Sequence, residues 1–520
     1  MSQDPIVVLG SDPNGLAAAA FLAKKGRRVI VVEEGSVVGG TASGDEFYPG
    51  YRSAGVLHDT TGLHPDVVSV LELEKHGLRL RSAPPDVLAL SSAGSFVWAG
   101  RTEEAATEIG KLSAKDGEAY VAYQRFTERL RPVLRAFQRE APVDLLHPES
   151  AGMFGLLKRG LRVRRLGAKD MLELIRVLPM GVADGLREWF EHDAVLAAQA
   201  LTAVAHTVDG PRSPGTNANL LLWECARGPG IEGSGADLVE ALRRAAEAQG
   251  VEFRLGTRCA SIDVENGAVG GITIGGMDPG DGSRGERETI ATTHVLAACD
   301  PKRVFLDLVA PAHLPSALEH NIVHYRTRGT AAHLLVALRG PVRFRHDPDR
   351  SIEFARIADD LDALERAHDA IKYDEFSKVP ALDIQVPSVR DARLAPEGHS
   401  VLSALVHFAP HTHRDGWNEQ RTTQLKDIAL ARLAEHIDGF RENVVATVLR
   451  TPADLEARYG IAGGHLHHGE HTLDQLLIRP APGCTEYKTP IQGLWLGGSG
   501  THPGGGLTCA PGWLAANALR

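Results

Sequence analysis

Three residues near the start of the chain have the types and spacing to hold a dinucleotide. Gly10 and Gly15 bracket the hexapeptide GSDPNG, and Glu33 stands 23 residues after Gly10. A glycine turn of this kind aims backbone N–H groups and the positive end of a helix at a pyrophosphate. An acid at the end of the next strand accepts hydrogen bonds from ribose hydroxyls. One position departs from the pattern: Asp12 stands where a second glycine would let the phosphates approach the backbone. Asp12 followed by Pro13 is also a favoured N-cap and N1 pair, whose carboxylate would take the amides of Asn14 and Gly15. Two outcomes are open. Asp12 either acts as a built-in anion that disfavours the pyrophosphate, or turns aside and leaves the ligand in place. A second cluster, His465, His467, His468 and His471, lies in a glycine-rich loop with no cysteine and no HExxH frame, so no metal site is expected. No Ser-His-Asp or paired-carboxylate arrangement emerges from the 23 histidines and 66 acids.

The elements that must position these groups are legible nearby. VVLG (residues 7–10) is a short β-branched run, residues 16–25 read as an alanine-rich helix, and RRVIVVEE (residues 27–34) reads as a second buried strand. The order is β-α-β with parallel strands. Glu34 falls on the opposite face from Glu33 and is expected to be solvated. At the other end of the chain, GLWLGGSG is a strand running into glycines, and PGWLAANAL opens with Pro511 and reads as a helix. Between them Gly504, Gly505 and Gly506 let the backbone pass close to a large flat ligand.

With 520 residues the chain has material for two or three domains. Its 43% hydrophobic and 23% charged residues are ordinary for a globular protein, and no apolar run is long enough to span a bilayer. A net charge of -10 argues against nucleic acid as a partner. Cys225, Cys259, Cys299, Cys484 and Cys509 are scattered and form no CxxC pair, so neither a disulfide framework nor a zinc ribbon is expected. The N-terminus enters a strand within a few residues and lacks the zones of a signal peptide. A cytoplasmic location is the reading.

The chain resembles the phytoene dehydrogenase (phytoene desaturase)-like FAD-dependent oxidoreductases of the carotenoid desaturase, carotenoid isomerase and amine oxidase superfamily. Besides the two terminal motifs, the resemblance rests on SAGVLHDTTGLHPDVVSVLELEKHGLRL, SPGT, VLAACDPKRVFLDLV, VPSVRDARLAPEGHSVLS and TPADLEARYGIAGGHLHHG, in that order along nearly the whole sequence. It implies an α/β fold: a Rossmann-like FAD-binding domain, a parallel sheet with helices, plus a discontinuous α+β substrate domain. The FAD-binding domain would comprise residues 1–110, 226–310 and 451–520, and the substrate domain residues 111–225 and 311–450. Gly10, Gly15, Glu33, Gly39, Gly40 and Thr41 would hold the ADP portion of FAD, with Asp12 among them as the departure. The backbone of Cys259 would pass the adenine, and Gly498, Gly505, Gly506 and Thr508 would pass near the flavin. His502 would lie near the ring, with His58 and Asp59 lining the same cavity, as candidate catalytic groups.

The activity implied is a desaturase or dehydrogenase reaction at C–H bonds of an apolar substrate, isoprenoid-like or a secondary metabolite, with oxygen or a quinone as electron acceptor. An isomerase or lyase, or a flavin-free binding protein, stays open because of Asp12. An amine oxidase is disfavoured, since 5% aromatic residues leave little for an aromatic cage.

Three further stretches carry expectations. From about Pro229 to Ile274 the sequence reads as a glycine-led helix, a strand and a hairpin turning at Asn266-Gly267, followed by a polar loop over residues 275–288. Residues 111–223 and 314–450 are dominated by helix-period patterns. LLKRGLRVRRLGAKDMLELIRVL, from Leu156 to Leu178, is a basic island in an acidic protein, and an interfacial helix there would make peripheral membrane contact.

Overall fold

The computed structural model describes residues 4–143, 152–277 and 284–519. A five-stranded sheet runs in the order Leu494–Leu496, His294–Ala297, Ile6–Leu9, Val29–Val32, Glu252–Arg254, every pair parallel. Leu9 pairs with both Val32 and Ala297, so the ends of the central strands lie level beneath the glycine turn. The strands IVVL and VIVV are buried on both faces and therefore read as continuous apolar runs. One face packs against the helices Pro13–Lys24, Gly235–Ala248 and Ala510–Leu519. Phe21 meets Trp513 edge-on at 4.5 Å. The other face packs against a three-stranded antiparallel sheet through Cys259, Ile262, Ile272 and Ile290.

The hairpin of that second sheet turns at Asn266 (φ 51°) and Gly267 (φ 79°), the paired positive angles of a type I′ turn. The polar stretch expected as a loop over residues 275–288 is largely strand: Ala268–Met277 and Arg284–Ala291 pair across it, and residues 278–283 lie outside the described residues. Cross-strand pairing overrides the turn-prone composition there.

A seven-stranded sheet forms the other half, in the order Val444–Arg450, Ala331–Arg339, His399–His407, Leu382–Gln385, Phe354–Ile357, Val87–Ser91, Gly94–Trp98. Five of these strands come from residues 314–450, a stretch whose pattern suggested helix. The central strands AAHLLVALR and HSVLSALVH are buried almost end to end, so they lack the alternation that marks a half-buried strand. Val87–Ser91 and Gly94–Trp98 also join this sheet, through the parallel pairing of Val87–Ser91 with Phe354–Ile357, although they fall within residues 1–110.

One face of the large sheet is closed by the helix Glu419–His436 through Leu425, Ala429 and Leu433. Ala114–Arg139, Asp193–Val204 and Thr216–Ala226 form the helical layer opposite. Among the described residues no helix is long and apolar enough to cross a membrane.

Candidate active site

The glycine turn follows directly from the strand Ile6–Leu9. Gly10 takes φ +95°, a conformation that side chains disfavour, and Gly15 is required by contact, because a Cβ there would lie 2.2 Å from the Gly10 carbonyl oxygen. Asp12 is the N-cap of the helix Pro13–Lys24. Its Oδ1 accepts the Gly15 amide at 2.8 Å and its Oδ2 accepts Asn14 Nδ2 at 3.0 Å. The side chain thus turns inward over the helix end. Burial raises its pKa above the ordinary aspartate value, against the Gly15 hydrogen bond and the neighbouring His468, which lower it.

Glu33 staples the turn to the second strand. Its Oε2 accepts the Ser11 amide at 2.9 Å and the Ser11 hydroxyl at 2.6 Å, and its Oε1 accepts the Gly35 amide. Glu34, expected to be solvated, is half-buried and ion-paired with Arg303 at 2.5 Å, because Arg303 reaches across from the segment after the strand His294–Ala297. Gly39 is fixed by packing, since a Cβ would lie 2.8 Å from Val239. Gly40 (φ +53°) faces Asp12 with no closer neighbour than the Asp12 Cβ at 3.5 Å from an added Cβ. Thr41 is buried and its carbonyl takes the Val56 amide. Cys259 is buried against the parallel sheet, its thiol on the Ser261 carbonyl and pushed up to about 12 by burial.

The carboxy-terminal glycines divide in the same way. A Cβ on Gly498 would meet the Ala298 carbonyl at 2.2 Å, and one on Gly505 would meet His467 Cα at 2.5 Å, so both are demanded by protein contacts. Gly506 (φ +103°) has nothing closer than 3.6 Å to an added Cβ. It lies with Thr508 on the wall of a cavity of about 260 Å³. Leu57, Trp98, Leu222, Trp223, Phe354 and Leu405 supply much of its apolar lining.

His58 and Asp59 both line this cavity. Asp59 accepts Trp223 Nε1 at 2.6 Å and the Thr61 amide and hydroxyl at 2.7 and 2.6 Å. His58 Nε2 and His333 Nε2 share the Ser403 hydroxyl at 2.9 and 2.8 Å, and burial lowers the two rings to about 4 and about 3. His502 points elsewhere: its Nε2 bonds the Phe137 carbonyl at 2.7 Å, and its ring packs edge-on against Phe137 at 4.9 Å. It ties the carboxy-terminal glycine loop to the end of the helix Ala114–Arg139.

The cavity also carries groups that sequence reasoning passed over. Arg356 donates through Nε to Asp383 Oδ1 at 2.6 Å and through Nη1 to the Ala198 carbonyl and Thr202 hydroxyl. His407 Nε2 lies 3.0 Å from Asp383 Oδ2. Arg356 and Asp383 are direct cross-strand partners, so the only sequence signal was one charged residue in each of two short strands whose register was unknown. His206, His467 and His471 line the same wall, with ring centroids 4.1 Å apart for the first pair and 4.9 Å for the second. Among the described residues the histidines 465–471 bring no three ligand atoms together. Glu365, His368 and Asp369 do, but Asp369 is ion-paired with Lys372 and Glu365 holds the Arg212 amide.

Comparison with known proteins decides the family. Residues 8–64 match the NAD(P)-binding Rossmann-like domain. Over 557 residues the chain is 30% identical to Pyridine nucleotide-disulfide oxidoreductase domain-containing protein 2 of Mus musculus, covering 99% of this chain and 92% of that one. It is 23% identical to a phytoene desaturase (neurosporene-forming) of Cereibacter sphaeroides, over 97% and 92% of the two chains. The chain belongs to the phytoene desaturase-like family of FAD-dependent oxidoreductases. An oxidoreductase from Methanosarcina mazei shares the fold, with a TM-score of 0.58, 15% identity and 99% coverage of each chain.

FAD is the cofactor of this family, and the residues present fit it. Gly40 and Gly506 both adopt positive φ at the two ends of the expected path, and no protein atom lies closer than 3.5 Å to an added Cβ at either. Glu33 stands at the end of the second strand, the place where this fold expects an acid for the ribose. Asp12 is the one residue in the cradle that opposes the group, since its carboxylate takes the Gly15 amide itself.

Proposed function

We propose that this desaturase-like oxidoreductase removes two hydrogens from a C–H-bearing small molecule held between the loop 503–508 and the large sheet. The cavity between those elements carries the reading. It joins the backbone of Gly506 and Thr508 to walls of Leu222, Trp223, Phe354 and Leu405 in one continuous space. When bound, FAD would supply the two-electron acceptor for a hydride from carbon, with oxygen or a quinone as the final acceptor.

The chain's own part is to bind, orient and exclude water. Leu57, Trp98 and Ile384 give apolar contact to the body of a substrate. Asp59 is the proton acceptor in this reading. Its carboxylate opens onto the cavity and is held in place by Trp223 Nε1 and the Thr61 amide. His58 is neutral in its buried setting and shares Ser403, which orients its ring against the substrate wall. His502 acts as a positioning residue, fixing the loop 503–508 against Phe137.

The basic stretch from Leu156 to Leu178 supports peripheral docking to an anionic bilayer surface. Leu172 and Ile175 are 63% and 64% exposed, and Leu157 and Leu161 are exposed beside Lys158, Arg164, Arg165 and Lys169. The test of the central reading is anaerobic. Bleaching of the 450 nm flavin band by an oxidisable substrate, with a product two hydrogens lighter, is the expected result. A flavin-loaded protein that no hydrocarbon, alcohol or acid substrate reduces would refute it.

A further inference from the structure

The ion group on the cavity wall leaves one guanidinium nitrogen unused among the described residues. His407 Nδ1 faces the Ala205 carbonyl at 3.1 Å, and Nε2 faces Asp383 Oδ2 at 3.0 Å. Arg356 beside it keeps Asp383 ionised, its pKa held well below the usual carboxylate range by the guanidinium and His407 against the cost of burial. The charged side chains that line the cavity are Arg139, Arg227 and Arg356 against Asp59 and Asp383, so guanidinium is in surplus there. The remaining titratable neighbours do not cancel it: burial keeps His58 and His206 neutral, with pKa values of about 4 and about 3.

This charge has an open edge. Arg356 uses Nε and Nη1 on protein partners, and among the described residues Nη2 has none, while the residue lines the cavity. Thr202 accepts from Arg356 Nη1, which leaves its hydroxyl proton free to donate, and Thr202 lines the cavity too. A buried net charge is costly without a counter-ion, and a guanidinium edge with an adjacent hydroxyl matches the two oxygens of a carboxylate. A guanidinium edge that opens onto the cavity calls for an anion. The body of the cavity is apolar, through Leu222, Trp223, Phe354 and Leu405.

We propose that the cavity binds a monocarboxylic acid with a hydrocarbon body. Its carboxylate rests on Arg356 Nη2 and the Thr202 hydroxyl, and its chain runs past Trp223 towards Gly506 and Thr508. This names a substrate class for the oxidoreductase reading and rests on it. The bond oxidised would be a C–H of the hydrocarbon body, away from the anchored carboxylate.

Quenching of tryptophan fluorescence by decanoate and by decanol at pH 8, in FAD-loaded and FAD-free protein, tests the inference. Decanoate should bind at least tenfold more tightly than decanol. Arg356→Gln should erase the difference while decanol affinity stays within twofold. Because Arg356 also ties two strands and a helix together, Thr202→Val serves as a second variant that leaves the ion group intact, with decanoate affinity falling about threefold and decanol unchanged. Equal binding of acid and alcohol by the wild type, or a preference for the acid that survives both substitutions, overturns the proposal. Selective decanoate binding by a protein that takes up no flavin would keep this inference and remove the oxidoreductase reading. A flavin-loaded protein indifferent to the carboxylate would do the reverse.

Discussion

Replacing Asp12 by glycine should tighten FAD binding by two decades or more. The Asp12 carboxylate sits on the Gly15 amide at 2.8 Å, in the place where the turn would otherwise present that N–H to a phosphate oxygen. A phosphate in contact with the rest of the turn lies roughly 4–5 Å from the carboxylate, and two unit charges at that separation repel by about 3–4 kcal/mol at an effective dielectric near 20. That energy corresponds to between two and three decades in Kd. The substitution also frees one amide donor and costs little stability, since an Asp to Gly change at an N-cap is worth only about a few tenths of a kcal/mol. Asp12→Asn keeps the cap and removes the charge, so it should recover most of the gain. The assay is flavin fluorescence quenching on apoprotein at 0.1 M salt. Because burial raises the Asp12 pKa, wild-type affinity should rise as pH falls towards 5, whereas Asp12→Asn should show no such slope. Values of Kd for both variants within threefold of wild type would refute the electrostatic argument.

Three further outcomes follow from other parts of the structure. Ser403→Ala leaves the buried Nε2 atoms of His58 and His333 without their shared hydroxyl. Roughly 1–3 kcal/mol is expected for each group left unsatisfied, so chemical denaturation should show a loss of at least about 2 kcal/mol. Asp300, buried and holding the Lys302 and Ala462 amides, has a pKa raised to about 6 by burial. A raised carboxylate binds more protons folded than unfolded, so stability should fall by about 3 kcal/mol as pH rises from about 4 to about 6 and stay level above. Asp300→Asn should remove that component from the wild-type profile. Replacing Leu157, Leu161, Leu172 and Ile175 together by serine should abolish co-sedimentation with anionic phosphatidylserine vesicles while leaving Tm unchanged within a few degrees. Retained sedimentation would move the contact elsewhere.

The sequence made the nucleotide half of the fold legible because its signals are local. A β-branched strand, a glycine turn, an alanine helix and an acid follow one another within 33 residues, and the structure keeps them in that order as Ile6–Leu9, Gly10, Pro13–Lys24 and Glu33. The N-cap geometry of Asp12 was legible for the same reason, since cap, amide and proline are neighbours in the chain. The seven-stranded sheet was hidden because strands buried on both faces lose their alternation, and its order joins residues 87–98 to residues 354–357 across more than 250 positions.

The same physics explains why the His502 candidate and the ion group exchanged prominence. A histidine inside a glycine-rich motif attracts attention in a sequence, yet its ring is committed to the Phe137 carbonyl and serves the join between loop and helix. Arg356 and Asp383 stand alone in FARI and LDIQ, where each looks like the solvent-facing residue of an edge strand. Antiparallel register places them opposite one another, and the helix Asp193–Val204 covers them, so an apparent pair of surface charges becomes a buried one. Register is a long-range property that no local pattern encodes, whereas the chemistry that follows from it is short-range and specific. A charge pair set across a covered sheet face must be completed by hydrogen bonds or by a ligand, and His407 supplies one such contact to Asp383 at 3.0 Å. Asp12 thus sets a carboxylate on the helix end of the glycine turn, and Arg356, among the described residues, leaves one guanidinium nitrogen free toward the apolar cavity.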